Sequence, residues 1–401
     1  MKQFKALLIG SDPGLMQPIP AILGRAGFVV DVISQSKIFQ HSNSIAHLIY
    51  VSTQEELLET IASNVFSSYD LVVIGDDITL QLIVQSDLPD QTKLKLLPVI
   101  SSAYYFHLFS KIGLSHALET GHVLTPQFRI AHETSELIPL ADTLGYPVVI
   151  KIDASFGGHG VFICDSDQDI SDLLSKLLRY PNFRLPLLVQ KKIEGTTLDL
   201  SAFYQDGKLI HFCHATEIKT TYPLGPSYLR TYTQLGILDK ELYLELTALG
   251  QALGANGFVN LESIWSSVDG RRYFTEADMR PNAWHDYSRY VGNDLATAIK
   301  AYFENAQTLE YPQAIETNFP RTLVIPHVSR LKFWELLINR YGVWKFATRQ
   351  QVIRRIIGHP ISMLNSIANR YVQPAVPQSV WMGLLKFSKA LKVKLIYLFL
   401  S

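Results

Sequence analysis

The sequence predicts an α/β domain, then a larger α+β region, then a basic helical extension. Near the N-terminus, apolar runs of strand length alternate with segments of helical spacing, a pattern typical of a parallel, doubly wound sheet. After about residue 108, hairpins and glycine-rich turns replace this alternation. The chain has 401 residues, of which 47% are hydrophobic. We therefore expect more than one domain and a sizeable core.

The predicted α/β domain rests on three apolar segments. They are "KALLIGSD" (5–12), "PAILGRAGFVVDVIS" (20–34) and "YDLVVIGDD" (69–77). The buried strands of a parallel sheet have continuous apolar runs of this kind. No G-x-G-x-x-G motif follows the first strand, so a dinucleotide site is not predicted.

The predicted α+β region contains two β-hairpins, which turn at residues 205–208 and 268–270. A strand at 145–153 precedes a glycine loop, and a helical pattern at 240–255 ends in glycine. The two cysteines lie in apolar runs, which indicates neither a disulfide framework nor a thiolate zinc site. The start lacks a signal-peptide apolar region of sufficient length, and no stretch has about twenty uncharged apolar residues. We therefore expect a cytoplasmic protein.

The loop "SFGGHG" (155–160) is the first candidate binding element. Ser155, Gly157, Gly158 and Gly160 would let backbone N–H groups approach an anion closely, as in phosphate-binding loops. Lys151, on the preceding strand, adds a cation at the same end. A tight turn between two strands is the alternative, and the loop alone does not decide between them.

The segment "LVQKKIEG" (188–195) is the second candidate. A strand that ends in a hinge offers backbone donors and acceptors beside apolar surface, as an adenine ring requires. An edge strand with solvated lysines is the competing interpretation.

Three carboxylates of the second hairpin form the third candidate. With a turn at 268–270, Glu262 and Glu276 lie on antiparallel strands and are expected to oppose each other. Asp278 follows two residues later and points to the same face. Such a set of oxygen ligands suits Mg²⁺. A pair of surface charges is disfavoured, because opposed like charges destabilise a hairpin unless a cation lies between them.

Taken in order, these elements resemble the ATP-grasp superfamily. The matching elements are Lys111 in "SKIGLSHALETGHVLTP", Lys151 in "PVVIK", the loop "SFGGHGV", the hinge "LVQKKIEG", Glu262 in "GFVNLES" and Glu276 in "FTEADMRPN". The resemblance covers residues 109–300. It implies a Rossmann-like pre-ATP-grasp domain at 1–108, a small ATP-grasp subdomain at 109–187, a large one at 188–327, and an extension at 328–401.

The resemblance also implies roles for individual residues. Lys111, Lys151 and the glycine loop would contact the phosphates of ATP. Gln190, Lys191 and Ile193 would border its adenine. Glu262, Glu276 and Asp278 would hold Mg²⁺, or Mn²⁺ in its place; here Asp278 stands where the family usually has Asn. Arg280 would face the transferred phosphoryl group, and Asn282 and Arg230 would lie beside the substrate. Thr197 replaces the acid that often contacts the ribose, with Asp199 nearby.

The implied function is that of an ATP-dependent ligase. It would activate a carboxylate as an acyl phosphate for attack by an amine or another nucleophile. The alternative is an ATP-binding sensor or scaffold with reduced catalysis, tethered through its tail. His285 could serve as a general base, but nothing in the sequence pairs it, and a structural or substrate-orienting histidine is favoured.

The C-terminal extension carries a separate charge signal. Residues 330–401 contain twelve Lys/Arg and one acid, while the whole chain has a net charge of zero. This extension also holds three of the five tryptophans. It could be a structural cap, a segment that lies on an anionic membrane, or a contact for a carrier protein or nucleic acid. A nucleic-acid partner is disfavoured.

The membrane alternative predicts that the full-length chain sediments with anionic liposomes and that salt weakens this binding. Each basic residue near such a surface contributes about 1 kcal/mol, and this contribution is screened by ions. A chain ending at Pro326 should then stay in the supernatant. The cap alternative predicts instead that truncation lowers the melting temperature and causes aggregation, with no liposome binding by the full chain at low salt.

Overall fold

The structure is a computed structural model that describes residues 3–63, 65–155, 158, 160–177, 183–222, 225–234, 240–304, 318–327, 331, 335, 338 and 340–345. It divides into one unit of Met1–Glu217 with Thr231–Leu323 and a second of Ile218–Arg230 with Val324–Ser401. Gly157 and most of the predicted extension at 328–401 lie outside the described residues. Within these ranges, no helix combines the length and apolarity needed to cross a membrane.

The N-terminal domain is the predicted α/β domain. Its four strands are all parallel, in the order β3-β2-β1-β4. The strands are β1 (Phe4–Gly10), β2 (Phe28–Ser34), β3 (His47–Tyr50) and β4 (Leu71–Ile74). The helices are α1 (Pro13–Met16), α2 (Ile19–Arg25), α3 (Gln54–Ala62), α4 (Asp77–Gln85) and α5 (Asp90–Leu96). Because all four strands are parallel, the loops after β1 and β4 both lie at the carboxyl ends of the strands, on the same side of the sheet.

A small antiparallel sheet follows, with strand order β5-β8-β6-β7. Its elements are α6 (Lys111–Thr120), β5 (Phe128–Ala131), α7 (Leu137–Leu144), β6 (Val148–Ile152), β7 (Val161–Cys164), α8 (Asp167–Leu177) and β8 (Leu187–Lys191). Val148 and Ile150 pack in one core with residues of α7 and α8. Because side chains alternate along a strand, Val149 and Lys151 point to the other face.

The remaining elements belong to a larger sheet and its helices. They are β9 (Gly195–Gln205), β10 (Lys208–Thr220), β11 (Ser227–Thr233), α9 (Lys240–Leu253), β12 (Gly257–Ser266), β13 (Arg272–Asp278), α10 (Leu295–Phe303) and β14 (Thr322–Pro326). In the first unit, four strands run in the order β13-β12-β9-β10, and all neighbours are antiparallel. The first hairpin turns at Asp206 and Gly207, which both have positive φ, within the predicted range.

One hydrophobic core joins the N-terminal sheet to the larger sheet. Leu7 and Ile9 of β1 belong to the same cluster as Tyr204 of β9 and Leu246 of α9. The Tyr204 hydroxyl donates to the Leu246 carbonyl at 2.8 Å. Gly250 is required beside this ring, because a Cβ there would lie 2.2 Å from Tyr204 Cε1. The shared core therefore fixes the loops after β1 and β4 against the larger sheet.

Two buried histidines lie in the larger sheet and the loop behind it. Burial lowers the pKa of His211 to about 4 and that of His285 to about 3. The backbone N–H of Asn282 donates to His285 Nδ1 at 3.0 Å, and the ring packs edge-on against Phe258 at 5.1 Å. This environment favours the structural interpretation of His285 over the general base considered from the sequence.

These histidines predict a loss of stability on acidification. In the unfolded chain a histidine has a pKa of about 6.5. Below that pH, the unfolded state therefore binds a proton that the buried histidine of the folded state does not bind. Each buried histidine should therefore lower the free energy of unfolding by up to about 1.4 kcal/mol per pH unit. The loss begins near pH 6.5 and continues down to the folded-state pKa.

Denaturant unfolding at pH 7.5, 6.5, 5.5 and 5 tests this, comparing wild type with His285→Gln. The difference in slope between the two isolates His285, because the other titrating groups are common to both. An unchanged slope in His285→Gln would contradict the prediction.

Candidate active site

The centre of the candidate site is a row of carboxylates on the larger sheet. Glu262 of β12 is directly opposite Glu276 of β13, as predicted, and also opposite Asp199 of β9. Desolvation raises the pKa of both glutamates, and Asp199 raises that of Glu262 further. Asp278 and Glu262 add to the shift of Glu276, whose pKa reaches about 7. The negative charge in this row is thus incompletely compensated by the protein.

A β-bulge beside the two glutamates provides the contact for Lys151, the first cation of the site. The register shifts between Glu262 and Ser263, so Thr275 has no residue paired opposite it. The Thr275 hydroxyl donates to Glu262 Oε1 at 3.0 Å, and the Lys151 ammonium donates to the Thr275 carbonyl at 3.1 Å. Desolvation lowers the pKa of Lys151, while Glu276 and Glu262 oppose that shift. The bulge therefore ties β6 of the small sheet to the carboxylate row.

The start of α6 supplies the second cation. Ser110 caps the helix, and the Lys111 ammonium donates to the Ser155 carbonyl. The Asp153 carboxylate accepts from the Ile112 backbone N–H at 2.8 Å and from the Ser110 hydroxyl at 2.9 Å. These bonds hold the start of the glycine loop against the positive end of the α6 dipole.

The described part of the glycine loop is tightly packed. The Ser155 hydroxyl donates to the Ile152 carbonyl at 2.9 Å. A Cβ at Gly160 would lie 2.2 Å from Ser155 Oγ, so only glycine fits that position. Gly158 has a φ of +78°, which also favours glycine. The packing explains these two glycines, and the phosphate contact stays a prediction.

The predicted adenine residues divide between the two faces of the small sheet. Gln190 is paired with Val149 and so shares the face of Lys151. Its buried side-chain amide donates to the Ser115 hydroxyl at 3.3 Å. Lys191 points to the opposite face, where its ammonium donates to the Gly145 carbonyl at 2.5 Å. Ile193 lies in the connection between β8 and β9. Only the backbone of Lys191 is therefore available to an adenine on the Lys151 side.

Arg280 follows β13 and is held by two carboxylates. Its Nε donates to Asp77 Oδ1 at 2.9 Å, and Nη2 lies 2.8 Å from Asp77 Oδ2. The same Nη2 lies 2.9 Å from Asp278 Oδ2. No role for Asp77 was predicted from the sequence. The available signal was the Gly-Asp-Asp sequence after β4, because ligands of α/β sheets bind at the carboxyl ends of the strands.

The predicted substrate residues lie in different surroundings. Asn282 is buried, and its side-chain amide donates to Asn260 and to Ser201 Oγ at 3.4 Å, while its Oδ1 accepts from the Trp284 N–H at 2.7 Å. These bonds order the loop after β13. Arg230 is a buried residue of β11 in the second unit, so its predicted role stays a prediction.

A small cleft with a cavity volume of about 40 Å³ lies among these elements. Its lining includes five charged residues that belong to the features above, namely Lys111, Asp153, Glu276, Asp278 and Asp77. Apolar side chains, including Leu80, Leu114 and Met279, complete the wall. Among the described residues, no three Asp, Glu, His or Cys side chains stand ready to hold a metal ion. Arg280 engages Asp278, the third predicted ligand, and the metal contact stays a prediction.

Comparison with known proteins gives partial matches in this region. The family model of the carbamoyl-phosphate synthase L chain ATP-binding domain matches residues 114–196. D-alanine–D-alanine ligase from Thermotoga sp. (strain RQ2) is 30% identical over 181 residues, which are 40% of this chain and 53% of the ligase. The arginine-specific carbamoyl phosphate synthase large chain of Bacillus subtilis is 27% identical over 113 residues, which are 28% of this chain and 10% of that protein. The chain thus spans about half of the first relative and a tenth of the second.

A solved structure extends the likeness to most of the fold. The biotin carboxylase domain of 2-oxoglutarate carboxylase from Hydrogenobacter thermophilus, in complex with MgADP, ADP and bicarbonate, superposes with a TM-score of 0.59 at 16% identity. The match covers 78% of this chain and 72% of that one. The fold, the ordered motifs and the matched ATP-binding region all agree with the predicted resemblance to the ATP-grasp superfamily.

Proposed function

We propose that this chain is an ATP- and Mg²⁺-dependent ligase that activates a carboxylate as an acyl phosphate for attack by an amine or another nucleophile. The observation that carries the proposal is the opposed Glu262–Glu276 pair beside Lys151, where the negative charge is under-compensated. The similar D-alanine–D-alanine ligase is named for joining two amino acids, and the similar biotin carboxylase domain binds MgADP. Both support the proposal.

The carboxylate row fits a divalent cation. Burial raises the pKa values of Glu262 and Glu276 and neighbouring carboxylates raise them further, so a cation beside these glutamates would stabilise their charged forms. We assign these two glutamates as metal ligands, with Asp278 as a third once Arg280 releases it. Carboxylate oxygens suit Mg²⁺, and Mn²⁺ accepts the same ligands. Bound metal would neutralise phosphate charge during the reaction.

The other residues would hold ATP and the reacting groups. Lys111 and Lys151 would donate to phosphate oxygens, under the loop of Ser155, Gly157, Gly158 and Gly160. The side chain of Gln190 and the backbone of Lys191 and Ile193 would border the adenine. A substrate carboxylate oxygen then attacks the γ-phosphorus, and the bond to ADP breaks. The nucleophile attacks the acyl carbon, and phosphate leaves.

The residues proposed to lie near the substrate are Arg280, Asn282 and Arg230. Arg280 would contact the transferred phosphoryl group. Asn282 would position the loop that carries Arg280, as its hydrogen bonds already support. Arg230 is kept as a substrate contact on the resemblance alone.

A non-catalytic ATP-binding sensor or scaffold is the second candidate. The observation that favours it is the engagement of Arg280 by Asp77 and Asp278, which offsets the charge that a phosphoryl group requires. In this candidate, the basic extension at 328–401 would tether the protein. The tether would bring an otherwise cytoplasmic protein into peripheral contact with a membrane. Release of ADP in a mixture of carboxylates and amines separates the two, because the scaffold should release none.

The metal assignment predicts that Glu276→Gln abolishes Mg²⁺-dependent ATP turnover. The variant keeps the side-chain shape but removes a charged ligand, so the rate should fall about 100-fold or more while the fold is retained. ADP release and circular dichroism are the measurements. Glu245→Gln is the matched control, since Glu245 is an ion-paired glutamate on α9, and it should retain turnover. Wild-type turnover in Glu276→Gln would remove the assignment.

The phosphate assignment predicts that Lys151→Ala weakens ATP binding about 10- to 100-fold. A hydrogen bond to a charged group contributes about 1.5–3 kcal/mol, and 1.4 kcal/mol corresponds to a factor of ten. Calorimetric titration of the variant with MgATP measures the change. Lys176→Ala, on the exposed side of α8, should bind as the wild type does. If Lys151→Ala also binds with wild-type affinity, the glycine loop is only a turn.

A further inference from the structure

Asp77 belongs to the N-terminal domain, yet it makes the closest charge contact with Arg280, which follows β13 of the larger sheet. Two of its oxygens face two nitrogens of the guanidinium, at 2.9 and 2.8 Å. This is the bidentate geometry in which a carboxylate fixes both the position and the plane of an arginine. The Arg280 side chain is 10% exposed, so the pair is largely shielded from solvent screening.

The support beneath Asp77 is rigid. Asp77 is the first residue of α4, and Asp76 caps that helix by accepting from the Thr79 N–H at 2.8 Å. The other oxygen of Asp76 accepts from the backbone N–H groups of Ser11 and Asp12 in the loop after β1. Asp76 is 1% exposed. Asp77 therefore stands on a helix start that is bonded to the neighbouring strand of the parallel sheet.

The contacts with Asp77 and Asp278 do not use all the N–H donors of the Arg280 guanidinium. A guanidinium has five N–H groups. Asp77 and Asp278 take those of Nε and Nη2, and Nη1 donates to the Pro281 carbonyl at 3.3 Å. Within the described part of the chain, one Nη1 N–H remains for an incoming oxygen. Asp77 and Asp278 both line the cleft, and the Arg280 guanidinium contacts both of them.

We propose that Asp77 is a positioning residue that holds the Arg280 guanidinium in place for the phosphoryl group, so that the N-terminal domain completes the phosphoryl-transfer site. The inference rests on the proposed function for the role of Arg280. It adds the residue that fixes this arginine and the domain from which that residue comes.

The test compares Asp77→Asn with wild type in two binding titrations and one rate. MgADP affinity should stay within about twofold, because among the described residues the side-chain hydrogen bonds and ion pair of Asp77 are with Arg280 and not with a proposed nucleotide residue. Affinity for inorganic phosphate in the presence of saturating MgADP should fall about tenfold, as should ADP release with mixed carboxylates and amines. Asp90→Asn is the matched control, an acid in the first turn of α5 in the same domain, and it should change none of the three.

A double-mutant cycle shows whether Asp77 acts through Arg280. In an Arg280→Gln background, adding Asp77→Asn should change phosphate affinity by less than twofold; if that background does not fold, the contrast between Asp77→Asn and Asp90→Asn decides alone. Equal losses of MgADP and phosphate affinity with a lower melting temperature would mean a purely structural role and overturn the proposal. Tighter phosphate binding by Asp77→Asn would also overturn it, since Asp77 would then mask Arg280. If wild type releases no ADP, the ligase proposal fails while the phosphate titrations still judge Asp77.

Discussion

The electrostatic balance around Lys151 is the constraint on which the candidate site depends. A buried ammonium is costly unless anions surround it, and opposed glutamates are costly unless a cation lies between them. Lys151 and the Glu262–Glu276 row each reduce the other's cost, and the bulge at Thr275 supplies the carbonyl that completes the lysine's contacts. The remaining excess of negative charge is what a metal ion would neutralise.

This electrostatic balance requires that three separate sheets be held in fixed positions relative to one another. Lys151 comes from the small sheet, the glutamates from the larger sheet, and Asp77 from the parallel sheet. The core shared by β1, β9 and α9 fixes the parallel sheet against the larger one. Lys111 and Asp153 in turn hold α6 against the start of the glycine loop. Packing thus sets the positions, and the charged groups define what the cleft can bind.

Local pattern was enough to predict the parallel domain, both hairpins and the opposition of Glu262 and Glu276, because a turn of known position fixes an antiparallel register. It could not predict that Lys191 points away from Lys151, since this depends on which strands flank β8. It also could not pair Arg280 with Asp77, which lies 203 residues earlier in the chain. Contacts over such separations follow from domain packing, which no local periodicity encodes. The domain boundaries at 108, 187 and 327 stay predictions.

The Asp77–Arg280–Asp278 group has a consequence for how the site would operate. Two carboxylates on one guanidinium leave the trio with a net negative charge, which would repel an incoming phosphoryl group until one carboxylate is engaged elsewhere and the remaining pair is neutral. Asp278 is the one that can leave, because it lies on the same face as the two glutamates proposed to bind metal and contacts the Arg280 guanidinium through a single oxygen. Asp77, with two contacts on a capped helix start, stays. Metal binding by Asp278 would thereby remove the net negative charge beside Arg280, so that metal and phosphoryl contacts would form together.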